Sequence, residues 1–168
     1  MNTTELLSAI RSDEYLSKKC LGVFPSDRVP KLQPDTCVIL NEDSHDKPGS
    51  HWLAMYKSRV STEWFDTFGR PPLPLFNSIV TTYNKQQIQS PFSDTCGAHC
   101  LFYLYHRARK IPARDVFHFY CSDKVQNDIY VSDFVYTHFN LHCSVRCDCK
   151  RGCINGSAFS SNRCHLRS

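Results

Sequence analysis

The chain lacks any window approaching the roughly 18 consecutive apolar residues of a membrane-spanning helix, so no membrane partner is expected. Its opening, Met1-Asn2-Thr3-Thr4-Glu5, has neither the basic start nor the apolar core of a secretory signal, and the expectation is an intracellular, reducing setting. It also lacks the paired CxxC units of a standard structural zinc site, although it holds ten cysteines. Repeats and low-complexity segments are absent. Net charge is missing from most of the chain: residues 142–168 contain five Lys or Arg and one Asp, so this tail carries the whole +4 and the body is neutral. A neutral body argues against an extended polyanion-binding face, because phosphate contacts are made chiefly by Lys and Arg.

What is there divides at about residue 141. Residues 1–141 have the length and apolar content for one domain with a core. Residues 142–168 crowd Cys143, Cys147, Cys149, Cys153 and Cys164 into a basic tail with too few apolar residues to fold alone. Cys143, Cys147, Cys149 and Cys153 are the zinc candidates, on a spacing that departs from the paired CxxC pattern.

Within the body, Thr3–Ile10 reads as a capped helix with Leu6, Leu7 and Ile10 on one side. A loop containing Pro25, Pro30 and Pro34 follows. Thr36–Leu40 is an apolar run of strand length, as expected for a central strand covered on both faces. His51–Tyr56 and Glu63–Phe68 read as two strands joined by a hairpin. With the turn centred near Ser58 and Arg59, opposed residue numbers sum to about 117. His51 then lies opposite or diagonal to Asp66, with Cβ atoms roughly 5 to 8 Å apart. Arg70–Pro74 breaks the sheet, and Leu75–Lys85 is open between helix and strand. From Gly97 to His106 the sequence is apolar on nearly all sides, as a buried central helix would be. Pro112–Cys121 and Val125–Phe139 read as shorter helices, the latter with an apolar face of Val125, Ile129, Phe134, Val135 and Phe139.

Four residue types needed for thiol catalysis occur in order along this frame. Cys96 directly precedes the central helix, where unpaired amides and the positive dipole end stabilise a thiolate. His51 is the candidate base, and Asp66 would hold its imidazole in the useful tautomer. Gln89, seven residues before Cys96, is the candidate oxyanion donor. Trp52 would wall the site, and Gly97 would let a substrate backbone approach closely. Taken singly, each residue is also explained by ordinary packing or solvation. Their conjunction points to a nucleophilic thiol.

Three blocks carry a resemblance: Gly49-Ser50-His51-Trp52-Leu53-Ala54, Trp64-Phe65-Asp66-Thr67-Phe68-Gly69, and Ile88-Gln89-Ser90-Pro91-Phe92-Ser93-Asp94-Thr95-Cys96-Gly97. Together with Leu21-Gly22-Val23-Phe24 and Arg28-Val29-Pro30, they resemble the adenovirus-type maturation protease over roughly residues 4–110. In overall size the match is to the version carried by Polinton or Maverick virus-like transposons. That family shares a clan with SUMO-specific and other ubiquitin-like-protein proteases. The resemblance implies an α+β fold with a central mixed sheet flanked by helices, a His51–Asp66–Cys96 triad, and Gln89 at the oxyanion hole. It further implies a monomeric cysteine endopeptidase that cleaves capsid or core precursors in the nucleus or virion and needs no cofactor for its chemistry.

A DNA or peptide activator is also implied by the resemblance. The family's disulfide-linked activation uses a cysteine before the oxyanion Gln, whereas no cysteine occurs here between Cys37 and Cys96. Non-specific DNA contact would fall to the basic tail. Two other readings stand beside this one. The first is an isopeptidase that removes ubiquitin-like modifiers; the Gln89–Cys96 spacing, one residue longer than is usual in that branch, favours the viral type. The second is a domesticated, non-catalytic DNA- or protein-binding module, which an intact triad disfavours.

Overall fold

The computed structural model describes residues 1–139 and 141. The tail, with its zinc candidates Cys143, Cys147, Cys149 and Cys153, lies outside these residues. Five strands form one sheet in sequential order: β1 (Cys20–Pro25), β2 (Thr36–Asn41), β3 (Trp52–Lys57), β4 (Thr62–Phe65) and β5 (Thr82–Tyr83). The outer pairs β1/β2 and β4/β5 are parallel, while β2/β3 and β3/β4 are antiparallel. Among the described residues five α-helices pack on one face of it: α1 (Thr3–Ser12), α2 (Glu14–Lys19), α3 (Cys96–Ala108), α4 (Ala113–Phe117) and α5 (Lys124–His138). This is the expected α+β architecture with a mixed central sheet. Among the described residues no helix is long and apolar enough to cross a membrane.

Strand alternation supplies two apolar faces. Cys37 and Ile39 of β2, Ala54 and Tyr56 of β3, and Phe65 of β4 face the helices, where they meet Leu6, Leu101 and Phe102. Val38, Leu40, Leu53, Met55 and Trp64 point the other way, into a smaller cluster closed by Leu32 and Phe76 from loops. Both faces of β2 are covered, which is why its sequence is a continuous apolar run.

α3 is buried on nearly every side, so its polar residues need internal partners. Arg107 makes a two-pronged ion pair with Glu63 of β4, Nε and Nη2 each 2.7 Å from a carboxylate oxygen. The Tyr103 hydroxyl donates to the same carboxylate at 2.7 Å. Glu63 thereby fastens α3 to β4, the strand that leads into Asp66.

Several elements differ from the sequence expectation. β1 falls within the expected loop, because an edge strand needs no alternation and its Pro25 sits at the strand end, where a missing N–H costs little. α2 also lies in that stretch. β4 stops at Phe65, so Asp66 to Phe68 belong to the following turn. The hairpin register is Ala54↔Phe65 and Lys57↔Thr62, so each partner is displaced by two residues and the turn centre by one from the expectation. Ser58 causes the shift: its Oγ accepts from the amides of Val60 and Ser61 at 3.2 and 2.9 Å, making Ser58–Ser61 the turn. The open segment 75–85 contributes only the end of a 3₁₀ turn, Pro74–Phe76, and the two residues of β5. α4 ends at Phe117, short of Cys121.

The largest difference lies in the first half of α5. Val125 and Ile129 are about half exposed, whereas Phe134, Val135 and Phe139 pack on the core as expected, and Asn127, Asp128 and Val131 take the inward positions nearer the helix start. Two polar side chains occupy the inward face because they bond the loop beneath them, and this overrides the apolar pattern.

Glu63→Ala would leave the Arg107 guanidinium and the Tyr103 hydroxyl buried without their shared acceptor. The expected outcome is a loss of about 3–5 kcal/mol of unfolding free energy in urea titration, against under 1 kcal/mol for a surface carboxylate. A loss as small as the surface control would show that Glu63 does not hold α3 to the sheet.

Candidate active site

His51 immediately precedes β3 and Asp66 immediately follows β4, so the hairpin brings them to the same end of the sheet. His51 Nε2 lies 2.8 Å from Asp66 Oδ1. The pairing expected from hairpin geometry is present despite the register difference, because Asp66 sits in a turn that folds back toward β3. That turn is closed by the Gly69 amide on the Asp66 carbonyl at 2.8 Å and by the Phe68 amide on Asp66 Oδ1 at 2.9 Å. Gly69 has φ +69°, and a Cβ there would lie 2.8 Å from the Gln86 backbone, so the turn requires glycine twice over. The Phe68 ring packs on the imidazole with centroids 4.9 Å apart.

Asp66 is held from three further sides. Arg70 Nε donates to its Oδ2 at 2.7 Å, and the other guanidinium nitrogens bind both oxygens of Glu42 at 3.1 and 2.9 Å. Asn84 clasps the Asp66 backbone, accepting from its N–H at 2.9 Å and donating to its carbonyl at 2.5 Å. Burial alone would raise the Asp66 carboxyl, but the His51, Phe68 and Arg70 contacts hold it below the ordinary carboxylate value. Asp66 is therefore a fixed anion beneath the imidazole.

Cys96 is the first residue of α3. Its thiol interacts with the His51 ring and with the backbone at Trp52 and Gly97. Burial pushes the thiol up; His51, Trp52 and the positive imidazole outweigh that and bring it below its ordinary value. For His51, burial works downward, but the bonds to Asp66 and Cys96 lift it to about 9. The two shifts run in opposite senses, His51 up and Cys96 down, which is the direction of an imidazolium–thiolate pair. Cys100, one turn further along α3, is pushed well up by complete burial.

Gln89 is buried, with its amide oriented by two bonds. Thr67 Oγ1 donates to Oε1 at 2.5 Å, and Nε2 donates to the Ser93 carbonyl at 2.8 Å. One of the two N–H groups on Nε2 is thus used by Ser93, within the loop that leads into Cys96, and a second remains for an incoming acceptor. Trp52 lines an open cleft of about 550 Å³ together with Cys96, Gly49, Ser50, Asn41 and Phe24. Its indole N–H donates to the Met1 carbonyl at 2.9 Å. Gly97 faces inward: a Cβ there would meet Trp52 at 3.1 Å and Met1 at 3.2 Å. The close approach that Gly97 permits is made by the chain's own residues.

The structure therefore brings His51, Asp66 and Cys96 together, places Trp52 and Cys96 on one cleft, and sets Gln89 in the loop before the thiol. Sequence reasoning missed Arg70, Asn84, Thr67, Asn127 and Asp128. Of these, only Asn127 and Asp128 left a signal, as a polar pair interrupting a helical apolar pattern. Among the described residues, no cluster of three or more His, Cys, Asp or Glu side chains could hold a metal ion.

At pH 7 iodoacetamide should label Cys96 ahead of Cys37 and Cys100, whose thiols are pushed up. In His51→Ala, loss of the ring's bond and charge leaves burial less opposed, so the alkylation midpoint of Cys96 should rise by about one pH unit or more. Peptide mass spectrometry of samples alkylated across pH reads both effects. A wild-type midpoint at the ordinary thiol value of about 8.5 would contradict the ion pair.

No family model matches the sequence, and no curated protein matches it. Among solved structures, the fold is similar to that of the ASFV pS273R protease, with a TM-score of 0.55 and 17% identity over 80% of this chain. A selenomethionine structure of the same ASFV protease matches 78% of this chain at 19% identity and a TM-score of 0.41, covering 53% of that chain. In the first comparison this chain spans 65% of the neighbour's length. At such identity the likeness establishes the fold: the five-stranded mixed sheet with flanking helices is the architecture of that ASFV protease.

Proposed function

We propose that the protein is a cysteine endopeptidase acting through His51, Asp66 and Cys96. The observation that carries this reading is the convergence of an imidazole, a buried carboxylate on its far nitrogen and a thiol of lowered pKa at a helix start, beside an open cleft. The Cys96 thiolate attacks the scissile carbonyl. The resulting oxyanion is met by the free Gln89 N–H and the Cys96 amide. Imidazolium then protonates the leaving amine, giving a thioester and neutral His51. In the second half His51 takes a proton from water, hydroxide adds to the thioester, and its collapse releases the acid product and expels the sulfur as thiolate beside the imidazolium, restoring the starting pair. Asp66 keeps the ring oriented and stabilises its charged form throughout.

The substrate class we propose is the capsid or core precursors of a virus or virus-like transposon. This rests on the three sequence blocks that resemble adenovirus-type maturation proteases. The fold shared with a protein described as the ASFV pS273R protease is compatible with it. The protein would work as a monomer where capsids assemble, in the nucleus or the virion. DNA contact would be non-specific and through residues 142–168, with no cofactor required for the chemistry.

Cleavage of peptides from denatured casein, followed by mass spectrometry, tests the chemistry without knowledge of the natural target. Cys96→Ala should abolish cleavage, and Gln89→Ala should lower kcat by about 10²–10³ with little change in KM. Co-expression with a capsid precursor then tests the substrate. Undiminished cleavage by Cys96→Ala would end the cysteine-peptidase reading. Rapid covalent capture by a ubiquitin-like vinyl-sulfone probe would instead move the substrate to ubiquitin-like modifiers.

A further inference from the structure

Asn127 and Asp128 lie on the inward face of α5, buried, where the neighbouring inward positions are Val131 and Val135. A carboxylate and an amide on such a face are costly unless every polar atom finds a partner. Their partners are confined to a few places. Asn127 Nδ2 donates to the Ile88 carbonyl and to the Cys121 carbonyl, both at 3.0 Å, while its Oδ1 accepts from the Cys121 amide at 2.8 Å. Asp128 Oδ2 accepts from the Ser90 amide at 3.0 Å. Its Oδ1 accepts from Thr95 Oγ1 at 2.9 Å and from His99 Nε2 at 2.8 Å.

These bonds bracket the two reacting groups. Ile88 and Ser90 are the residues on either side of Gln89, Thr95 is the residue before Cys96, and His99 lies one turn into the helix that Cys96 starts. Thr95 is the N-cap of α3, yet its side chain makes no cap bond to the helix and turns to Asp128 instead. The helix thus forgoes a common source of stability in favour of a tie to α5. Burial tends to raise the Asp128 carboxyl, but the donors from His99, Ser93, Thr95 and Ser90 hold it below the ordinary value, so it acts as an anionic acceptor.

We propose that Asn127 and Asp128 are positioning residues that set the Gln89 amide relative to the Cys96 thiolate, so that α5 fixes the oxyanion hole without touching substrate. The inference rests on the cysteine-peptidase reading. Its physical content is that an oxyanion donor must be placed to within about 0.5 Å, and that misplacement of about 1 Å can cost a hundredfold in rate. Thr67 and Ser93 fix the orientation of the Gln89 side chain, and Ser93 also bonds the Ser90 carbonyl and the Thr95 hydroxyl from within the loop; the α5 pair ties the backbone around Gln89 and the residue preceding Cys96 to a separate, packed element.

Two reactions of the same sulfur separate positioning from mere folding. Iodoacetamide alkylation forms a C–S bond at a saturated carbon as iodide leaves, with no oxyanion to stabilise. Peptide cleavage passes through one. Asp128→Asn turns one of the acceptor contacts into a donor facing a donor, and Thr95→Val removes the hydroxyl while keeping the side-chain shape. Both variants should cut casein peptides about 10- to 100-fold more slowly, mainly in kcat, while the alkylation rate and its pH midpoint at Cys96 stay within about twofold. Thr95→Ser, which keeps the hydroxyl, should recover most of the loss. If Asp128→Asn fails to fold, the Thr95 variants decide the matter.

Unchanged cleavage in Asp128→Asn and Thr95→Val would overturn the proposal. So would a parallel fall in cleavage and alkylation, which would make the pair structural only. A wild-type protein that alkylates normally but cuts none of the peptides would remove the peptidase reading itself, and the positioning role would fall with it.

Discussion

A helix wrapped by protein on all sides governs the rest of this molecule. Every residue of α3 except Tyr105 is buried. Such a helix cannot solvate its polar side chains, so each one dictates what must stand opposite. Arg107 and Tyr103 require Glu63, His99 requires Asp128, and His106 donates to the Phe102 carbonyl one turn back. These demands tie β4, the sheet's fourth strand, and α5, the last helix among the described residues, to a common axis whose first residue is Cys96. The position of the thiol is therefore set by the middle of the domain, although it opens onto a surface cleft.

Two His–carboxylate pairs flank the start of this helix, and they look alike in length: 2.8 Å for His51–Asp66 and 2.8 Å for His99–Asp128. The difference lies in the remaining ring nitrogen. That of His51 is turned to the Cys96 thiol, whereas Nδ1 of His99 meets the Tyr120 hydroxyl at 3.3 Å, inside the protein. The same chemical unit thus serves once where a proton can be exchanged with a reacting sulfur and once where nothing reactive is in reach. A histidine and an aspartate at hydrogen-bond distance do not make a site; the third partner does.

Much of the active constellation was legible because it is local or patterned. His51 and Asp66 belong to one hairpin, and hairpin pairing limits their separation even when the register is misjudged by two residues. Cys96 was legible from its place before an apolar segment free of Gly and Pro. What stayed hidden depends on contacts between segments far apart in the chain. Arg70 leaves no periodic signature, and its bridge from Asp66 to Glu42 exists only once β2 and the Asp66 turn are side by side. β1 was lost because a parallel edge strand needs neither alternation nor a turn signal. α5 was recognised as a helix, with Phe134, Val135 and Phe139 on its inner face, but Val125 and Ile129 were misplaced, since Asn127 and Asp128 take the inward positions near its start by bonding a loop. Polarity misleads a hydrophobic pattern where polarity has a positional task.

The ties from α5 also impose an order on assembly. During synthesis the β3–β4 hairpin emerges before the segment that carries the thiol, and with it the means to pair His51 and Asp66 by contacts between near neighbours in sequence. The segment from Ile88 to Thr95 and the first turn of α3 follow, but their partners Asn127 and Asp128 are made 29 to 39 residues later. Without α5 the backbone around Gln89 keeps the Thr67 carbonyl, which accepts from the Ile88 and Gln89 amides, but it loses its ties to Asn127 and Asp128. In the proposed peptidase, placement of the oxyanion donor would thus depend on a helix that neither carries nor touches a catalytic group.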